Sequence, residues 1–348
     1  MRNGSRILII RLSAIGDVVF ASPLIAALKR SYPQSRLSWL VEPAAAPLLK
    51  HNPTLDEVIV WPKAEWKRLW KERQFSVLWR EVRDFRRQLR ERGFDTVLDL
   101  QGLMKSALLG WLSGARERIG LGSREGSGWL MSRVVARAGD PDRIGSEYLY
   151  LAQQLELQTG HFEMQLSLAE ADCNFVQRLV QSERLEAGYL VLCPFTTRPQ
   201  KHWFEQRWSA LIARLQQQFA LPLVVLGGPG DREASERICS ALDRAVINLT
   251  GKTGLTEAAA LISQAQLLIG VDTGLTHMGL AFATPTVALF GSTCPYLETT
   301  RTNALVLYHK LECSPCRRSP TCHGAFSCMA EISVEEVVAS ALQVTHVI

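Results

Sequence analysis

The chain has 348 residues, of which 47% are apolar and 21% charged, and its formal net charge is +5. This is the composition of a soluble globular protein, and the length suffices for two α/β domains of roughly 100–200 residues each. The first apolar run, residues 7–10, is shorter than a signal-peptide core, and no run reaches the ~18 apolar residues of a membrane span. We therefore expect a cytoplasmic protein.

The first predicted strand, residues 6–12, leads into a turn that carries Asp17. Residues 18–30 then show apolar side chains at helical spacing, with Pro23 near the first turn, where proline is tolerated. Ligands of open parallel sheets bind at the carboxyl ends of strands, which is where Asp17 falls. Two interpretations are open here: the carboxylate caps the helix, or it is a general base facing a cleft.

Further short strands are predicted at residues 37–41, 58–61 and 96–100, with helical patterns between them. This alternation of strands and helices predicts a doubly wound parallel sheet. The turn at residues 101–106 follows the fourth strand, so we expect it to open at the same edge of the sheet as Asp17.

Residues 63–92 hold eleven Lys or Arg against five Asp or Glu, and Trp61, Trp66, Trp70 and Trp79 lie in or beside them. A basic amphipathic helix with interleaved aromatic residues is typical of contact with a membrane surface or a polyanion. The alternative is a solvated helix with extended Arg side chains and buried Trp rings. The charge also suits nucleic acid, but no nucleic-acid-binding module is recognisable, so we expect no nucleic-acid partner.

Residues 120–128 form a glycine-rich polar segment, predicted to be a mobile loop that brings Arg124 to an anionic group. Residues 145–157 have a helical pattern, and the polar stretch at residues 158–163 is predicted to link two domains.

The second half begins with a predicted strand at residues 189–193. The turn after it contains Thr196, Thr197 and Lys201, two hydroxyls and a cation of the kind that phosphate oxygens favour. The next predicted strand ends in a glycine-rich turn with Asp231, a carboxylate that can accept hydrogen bonds from ribose hydroxyls.

The stretch LLIGVDTGLTHMGL at residues 267–280 predicts a buried strand, a tight polar turn and the first turn of a helix. The first N–H groups of a helix lack internal partners and favour phosphate, and Gly274 permits a close approach to the backbone. The side chains that can donate to anionic oxygens are Thr273, Thr276 and His277. The alternative is an ordinary turn in which Asp272 caps the helix.

Two nucleotide-binding motifs are excluded. Residues 251–253 read G-K-T like the end of a P-loop, but Val246 stands where that motif requires glycine. No complete G-x-G-x-x-G follows a strand either. The strand-end turns of the second half instead favour a nucleotide donor there, with an acceptor bound by the first half.

Four motifs resemble those of the heptosyltransferases of glycosyltransferase family 9, and they occur in the family's order. They are R-L-S-A-I-G-D at residues 11–17, D-L-Q-G-L-M-K-S at 99–106, T-T-R-P-Q-K-H-W at 196–203 and V-D-T-G-L-T-H at 271–277. The resemblance spans nearly the whole chain. Within the family it is closest to the heptosyltransferase I branch, which adds the first heptose to the Kdo region of lipid A.

The resemblance implies a GT-B architecture: an α/β fold of two Rossmann-like, doubly wound domains around a central cleft. Residues 1–165 would bind the acceptor and residues 166–332 the nucleotide sugar, while residues 333–348 would form a helix that crosses back to the first domain. The resemblance also implies an ADP-heptose donor, a lipid A–Kdo acceptor, and inverting, metal-independent transfer that requires no cofactor. The protein would work peripherally at the cytoplasmic face of the inner membrane.

The same resemblance implies roles for individual residues. Asp17 becomes the base that takes the proton of the acceptor hydroxyl. The donor would be held by Thr196, Thr197, Lys201, Asp231, Asp272, Thr273, Gly274, Leu275, Thr276 and His277. The phosphates and carboxylates of the acceptor would be held by Lys63, Lys67, Arg68 and Arg124. Lys201 and the helix N-terminus would do the work of a metal, which agrees with the lack of a D-x-D pair near the predicted donor site.

Four cysteines within 16 residues depart from the heptosyltransferase I pattern: Cys313, Cys316, Cys322 and Cys328. They are compatible with a structural zinc or, less well, an iron–sulfur cluster, although the spacing is not the usual paired C-x2-C. Free thiols or oxidised pairs are the alternatives. The scattered cysteines are expected to be buried thiols: Cys173, Cys193, Cys239 and Cys294.

This cluster and the sequence of residues 63–73 leave the acceptor open, and other functions also stay open. They are a later-acting core heptosyltransferase, a transferase of another ADP-sugar, and a non-catalytic nucleotide-binding protein at the membrane surface. Asp17 argues against the last, since a binding protein needs no carboxylate in a cleft. A sugar-nucleotide epimerase of similar fold would need a second acid/base residue, which we do not identify.

Overall fold

The computed structural model describes residues 1–240, 246–293, 296–316 and 319–346. The chain forms two compact units, Met1–Asp140 with Gly145–Ser167, and Leu168–Ile348 with Pro141–Ile144. The boundary after Ser167 lies two residues from the predicted one. In the described part of the chain, no helix combines the length and the apolar character needed to cross a membrane.

The first unit is an α/β unit with one six-stranded sheet. Its strands are β1 (Arg6–Ile10), β2 (Arg36–Val41), β3 (Glu57–Val60), β4 (Thr96–Asp99), β5 (Glu117–Leu121) and β6 (Arg133–Val135). Its helices are α1 (Ile15–Ala21), α2 (Pro23–Ser31), α3 (Pro47–Lys50), α4 (Lys63–Lys71), α5 (Phe75–Glu91), α6 (Met104–Leu112) and α7 (Ser146–Gln154). The strands are all parallel, in the order β3-β2-β1-β4-β5-β6.

Both faces of this sheet are covered, as a parallel sheet requires. Successive side chains of β1 point to opposite faces, so Ile7 and Ile9 join one core and Leu8 and Ile10 the other. The first core is closed by α1, α2 and α7, and the second by α5 and α6. The prediction of a doubly wound sheet in this half is confirmed.

The helix predicted over residues 18–30 is two helices, and the break falls at Pro23. Proline has no N–H to donate, and its ring clashes with the preceding turn of a helix. Here it takes the first position of α2, where its missing N–H costs nothing. The hydroxyl of Ser22 donates to the carbonyl oxygen of Val19 at 2.7 Å and closes the end of α1.

The basic segment 63–92 likewise forms two helices, α4 and α5, rather than one. Arg73 adopts a left-handed φ of 57°, which ends α4, and Gln74 N–H donates to the carbonyl oxygen of Leu69 at 2.9 Å. The four tryptophans divide between the core and the surface, and contact with a membrane surface stays a prediction. Trp61 is buried and Trp66 packs against the second core, whereas Trp70 and Trp79 are exposed.

The second unit repeats this architecture. Its strands are β7 (Leu190–Cys193), β8 (Leu223–Val225), β9 (Ile247–Asn248), β10 (Leu267–Val271), β11 (Thr286–Phe290) and β12 (Ala304–Tyr308). Its helices are α8 (Glu170–Ser182), α9 (Glu205–Gln218), α10 (Arg232–Ser240), α11 (Leu255–Ser263), α12 (Gly274–Ala281), α13 (Ser327–Ala330) and α14 (Val334–Thr345). The parallel order β12-β11-β10-β7-β8-β9 is the same topology as in the first unit, so the prediction of two Rossmann-like sheets is confirmed.

The C-terminal helix α14 packs within the second unit. Its side chains Val337, Val338, Ala341 and Val344 are part of this unit's core, beside strands β10 and β11. The crossing to the first unit that the resemblance implies stays a prediction. Residues 347 and 348, at the end of the predicted helical segment, lie outside the described residues.

Candidate functional site

In each sheet the strand order reverses at one point, between β1 and β4 in the first unit and between β7 and β10 in the second. The crevice beyond the carboxyl ends of two such strands is where open α/β sheets bind ligands. Asp17 follows β1, and Asp272 follows β10. The residues singled out in the sequence therefore lie at the expected binding edge of their own sheets.

Asp17 is the third residue of α1, and its carboxylate is held at one oxygen. Oδ2 accepts a hydrogen bond from Ala14 N–H at 3.0 Å and lies 2.6 Å from an Arg11 guanidinium nitrogen. The Asp17 side chain is 38% exposed, whereas that of Arg11 is only 7% exposed. Oδ2 thus caps the helix, as one interpretation expected, and the rest of the carboxylate is still open to a ligand.

Arg11 is a buried cation that the sequence did not single out. One guanidinium nitrogen donates to the carbonyl oxygen of Leu100 at 3.0 Å, and the Arg11 carbonyl accepts from the Trp39 indole N–H at 3.2 Å. Burial alone would lower the pKa of Arg11, but Tyr148 and Asp17 raise it above its ordinary value. Arg11 therefore stays charged and gives Asp17 a fixed partner.

The turn after β4 lies at the same edge of the sheet as the turn after β1, as predicted, and hydrogen bonds join the two turns. Gln101 Oε1 accepts from the N–H groups of Leu12 at 3.1 Å and Ser13 at 3.3 Å. Gly102 has a φ of +65°, and a Cβ there would lie 2.4 Å from the Leu121 carbonyl oxygen, so only glycine fits. These contacts fix the backbone that leads to Asp17.

Asp99, at the end of β4, is fully buried. It accepts from the N–H groups of Gln101 and Gly102, both at 3.1 Å, and from the Ser106 hydroxyl at 3.0 Å. Burial raises the pKa of Asp99 to about 6, against the effect of these hydrogen bonds. Asp99 holds the turn together and is not open to a ligand.

In the second unit, Asp272 is the centre of a buried polar cluster. Its Oδ2 lies 2.5 Å from Lys201 Nζ and accepts from the Thr293 hydroxyl at 2.5 Å, and its Oδ1 lies 3.1 Å from His277 Nε2. Burial alone would raise the pKa of Asp272, but the hydrogen bond and charge of His277 and the charge of Lys201 outweigh it. The pKa of Asp272 is held well below its ordinary value.

This cluster joins the ends of three neighbouring strands, because Lys201 follows β7, Asp272 follows β10 and Thr293 follows β11. Sequence reasoning missed Thr293 and Tyr296, whose hydroxyl lies 2.8 Å from His277 Nδ1. The available signal was the polar turn at residues 291–295, two residues of which, 294 and 295, lie outside the described residues.

The side chains of three predicted donor residues already have partners within the second unit. The Thr276 hydroxyl is fully buried and donates to the Val271 carbonyl oxygen at 2.6 Å, so its side chain cannot donate to a ligand as expected. His277 is also buried, and its ring faces Asp272 and Tyr296. Asp272 does not cap α12, since its carboxylate binds Lys201, His277 and Thr293 instead.

The other predicted donor residues lie around this cluster or in a turn of their own. The Thr196 hydroxyl donates to the Asp272 carbonyl oxygen at 3.4 Å, and Thr197 is exposed. Thr273 is the N-cap of α12, and Gly274 and Leu275 are partly exposed in its first turn. Asp231 Oδ2 accepts from Gly228 N–H at 2.8 Å, which ties this carboxylate to its own turn.

The predicted acceptor residues of the first unit are not equally available. Lys63 Nζ lies 2.9 Å from Glu42. Arg68 is paired with Glu65 and Glu72, both at 2.6 Å, so its charge is neutralised locally. Lys67 is exposed.

Arg124 is also exposed, but the loop that carries it is anchored. Arg124 N–H donates to the Gly102 carbonyl oxygen at 2.8 Å, and Glu125 accepts from Met104 N–H at 3.1 Å. These bonds place the loop beside the turn at residues 101–106. The loop's predicted mobility stays a prediction.

The cysteine cluster shows free thiols at Cys313, Cys316, Cys322 and Cys328. Burial, and then the neighbouring thiols of the cluster, raise the pKa of Cys316 and of Cys328. Even so, within the described ranges no three His, Cys, Asp or Glu side chains are grouped as metal ligands would be. The structural zinc stays a prediction.

The scattered cysteines are less buried than expected. Cys193 is buried, but Cys173 and Cys239 are half-buried, and Cys294 lies outside the described residues.

Comparison with known proteins agrees with this architecture. The family model described as glycosyltransferase family 9 (heptosyltransferase) matches residues 82–325. Lipopolysaccharide heptosyltransferase 1 of Pseudomonas aeruginosa is 29% identical over 319 residues, which cover 91% of this chain and 87% of that protein.

Solved structures share the fold of both units. A glycosyl transferase family 9 protein from Veillonella parvula superposes with a TM-score of 0.83 at 20% identity, covering 99% of this chain and 98% of that one. The Escherichia coli heptosyltransferase WaaC with ADP-2-deoxy-2-fluoro heptose superposes with a TM-score of 0.73 at 24% identity, covering 96% and 98%. The family model matches more than half of the chain, and the chain therefore belongs to glycosyltransferase family 9, the heptosyltransferases, and is a glycosyltransferase.

Proposed function

We propose that this enzyme transfers heptose from ADP-heptose to the Kdo region of the lipopolysaccharide inner core, with inversion and without a metal. Family membership supports the transferase chemistry. The name of the Pseudomonas relative supports lipopolysaccharide as the acceptor class, and the ADP-heptose analogue bound by the Escherichia coli enzyme supports the donor.

The observation that carries the proposal is the arrangement of Asp17. A general base needs a carboxylate that is ionised, fixed and open to the substrate. Arg11 and Ala14 N–H hold Oδ2, while the side chain keeps 38% of its surface exposed. Oδ1 is then the oxygen that receives the proton.

In the proposed reaction the acceptor hydroxyl oxygen forms a bond to the anomeric carbon of heptose. The bond from that carbon to the diphosphate oxygen breaks, and its electron pair leaves with ADP. The hydroxyl proton passes to the Asp17 carboxylate, and attack opposite the leaving group inverts the anomeric centre. A positioned base typically contributes ~10²–10⁴-fold to such a rate.

Lys201 and the N-terminus of α12 stabilise the negative charge that develops on ADP. The Lys201 side chain is 16% exposed and is fixed by Asp272, so it meets the diphosphate already in place. The first N–H groups of α12 add a partial positive charge at the same strand edge. A single preorganised donor of this kind is worth about 10²–10³-fold in rate.

The acceptor is a lipid, so we place the enzyme peripherally on the cytoplasmic face of the inner membrane. Of the predicted acceptor residues, Lys67 and Arg124 are exposed and suit the phosphates and carboxylates of that lipid. Lys63 and Arg68 already have carboxylate partners, so we expect smaller contributions from them.

The test is a screen of donors and acceptors with the purified enzyme. ADP-heptose and ADP-glucose are each offered with Kdo–lipid A and with a core that already carries one heptose, and products are read by mass. We expect a single heptose added to Kdo–lipid A, with inverted configuration by NMR and an unchanged rate in EDTA. Transfer only to the heptose-bearing core indicates a later-acting enzyme, and transfer only from ADP-glucose refutes the donor assignment.

A further inference from the structure

Helices α4 and α5 form a hairpin whose tip presents three large aromatic side chains to solvent. Trp70 and Trp79 are each 64% exposed, and Phe75 is 51% exposed. The opposite side of the hairpin is buried through Leu69 and Phe85. Burial of that side accounts for the packing of the hairpin on the sheet but leaves the aromatic tip uncovered. Three exposed aromatic side chains on one hairpin point to an interaction site.

The aromatic tip (Trp70, Phe75 and Trp79) is ordered by local contacts. Trp70 and Phe75 meet edge to face, with ring centroids 5.3 Å apart, across the turn that Arg73 makes between the helices. The Arg83 guanidinium lies 5.1 Å from the centre of the Trp79 ring. The rings are therefore presented by two helix ends and not by a loose loop.

Basic residues surround the tip. Residues 63–92 carry eleven Lys or Arg and five Asp or Glu, although the net charge of the whole chain is only +5. Exposed cations lie before, between and after the three rings along the chain: Lys67, Lys71, Arg73, Arg80 and Arg83. Trp prefers the headgroup layer of a bilayer, and Lys and Arg beside it are attracted by anionic lipids. A tip with both features complements an anionic bilayer in charge and in polarity.

We infer that the aromatic tip docks on an anionic phospholipid bilayer, with Trp70, Phe75 and Trp79 entering the headgroup layer and Lys71 and Arg80 contacting lipid phosphates. The inference adds a contact surface to the proposed membrane location. Only the identity of the membrane rests on the proposed function. Neither donor nor acceptor takes part in this contact, so it can be measured without turnover.

The experiment is cosedimentation of the whole protein with vesicles that contain no lipopolysaccharide. One set contains phosphatidylglycerol and phosphatidylethanolamine, and the other contains phosphatidylcholine alone. We expect binding to the anionic set only, weakened by salt. The variant Trp70→Ala/Trp79→Ala should bind at least about threefold more weakly, since binding scales with the apolar area inserted. Lys71→Glu/Arg80→Glu should bind at least about 25-fold more weakly, since each lost positive charge costs about fivefold and each added negative charge weakens binding further.

Two matched variants serve as controls. Trp129→Ala removes a tryptophan that is 96% exposed elsewhere in the first unit, and Arg178→Glu reverses an exposed charge on α8 of the second unit. Both should bind as the unmodified protein does. The inference would be overturned if Trp129→Ala lost as much vesicle binding as Trp70→Ala/Trp79→Ala. It would also be overturned if Trp70→Ala/Trp79→Ala, with native circular dichroism, bound the vesicles as the unmodified protein does.

Two further outcomes also overturn it. Binding only when the vesicles contain Kdo–lipid A assigns the tip to the acceptor. A dimer in solution that the Trp70→Ala/Trp79→Ala variant loses assigns the tip to a second copy of the chain. Failure of the proposed function is distinguishable, because it abolishes transfer to a water-soluble, deacylated acceptor and leaves vesicle binding intact.

Discussion

The substitution Asp17→Asn separates the two roles of this side chain. Asparagine has the same shape, and its Oδ1 can still accept the hydrogen bond from Ala14 N–H that Asp17 accepts at 3.0 Å. It cannot take a proton, and it offers Arg11 no negative charge. The variant therefore keeps the helix cap and loses both the base and the ion pair.

The stability cost follows from the surroundings of the pair. Asparagine is as good a cap as aspartate, so the cap contributes almost no change. Losing one partner of a buried ion pair costs roughly 3–5 kcal/mol, but an exposed pair is worth only ~0–1 kcal/mol. Asp17 is 38% exposed and Arg11 7% exposed, so we place the cost between these limits, at about 1–2 kcal/mol. A domain with a typical stability of about 5–15 kcal/mol stays folded after such a loss.

The main effect of Asp17→Asn should be on the rate of heptose transfer and not on the free energy of unfolding. Without a base, the rate should drop about 10²–10⁴-fold, while the affinity for ADP, measured by calorimetry, should stay the same. The matched control is Glu257→Gln, because Glu257 accepts from Gly254 N–H at 2.7 Å in an equivalent cap on α11 and has no predicted catalytic role. Glu257→Gln should transfer heptose at the normal rate.

A rate within about threefold of normal in Asp17→Asn would remove Asp17 as the base, since one positioned base is worth far more than that. A loss of ADP affinity parallel to the loss of rate would instead mean that the substitution disturbs the protein as a whole.

Three other substitutions test the remaining clusters. Lys201→Met should weaken ADP binding by about tenfold or more, the worth of one charge-assisted hydrogen bond, and equal affinity would exclude Lys201 from the donor site. Asp272→Ala leaves Lys201 buried without its carboxylate, so it should lower the free energy of unfolding by about 3 kcal/mol in urea titrations near neutral pH. Because the pKa of Asp272 is depressed in the fold, that difference should shrink as the pH falls below about 4; a difference independent of pH would contradict the ion pair. Asp99 has its pKa raised by burial from 3.8 to about 6, so its ionisation destabilises the fold progressively between these pH values. The free energy of unfolding of Asp99→Asn should therefore exceed that of the unmodified protein by up to roughly 3 kcal/mol at about pH 8 and by little at about pH 4. The opposite trend would show that the fold stabilises Asp99 as an anion.

The sheets could be predicted from the sequence where the strands are buried runs of apolar residues. Strands β1, β2, β10 and β11 consist almost wholly of fully buried side chains. Apolar runs of that length with turns on both sides predict buried strands rather than helices.

The edge strands β6 and β9 were missed because they are two or three residues long and partly exposed, so they carry no apolar pattern. The strand β12 was also missed, although its sequence ALVLY is an apolar run and Asn303, a turn-favouring residue, precedes it.

For the candidate site, the sequence could identify positions but not partners. Asp17 and Asp272 both follow predicted strands, which placed them at the binding edges of their sheets. Whether a side chain at such an edge faces solvent or the interior depends on which neighbours approach it from other turns. Thr293 and Tyr296 lie in a different turn from the carboxylate and the imidazole that they contact, so the sequence around Asp272 and His277 does not reveal them. Arg11 lies in the same motif as Asp17, but the sequence does not show that its side chain turns back to that carboxylate.

This distinction explains why two aspartates at corresponding edges have opposite environments. Asp272 is enclosed by a lysine, a histidine and a threonine, and both of its carboxylate oxygens contact them. Such a group cannot exchange protons near neutral pH, because its pKa is held far below that range. Its physical effect is to hold Lys201 in one place, so that an arriving anion meets a fixed cation without reorganisation. Asp17 has a single cationic partner at one oxygen and partial exposure, which are the conditions for proton transfer. The two carboxylates therefore differ in environment because the number of partners differs: Lys201 and Thr293 reach Asp272 from other turns, whereas Arg11 is, among the described residues, the one cation at Asp17.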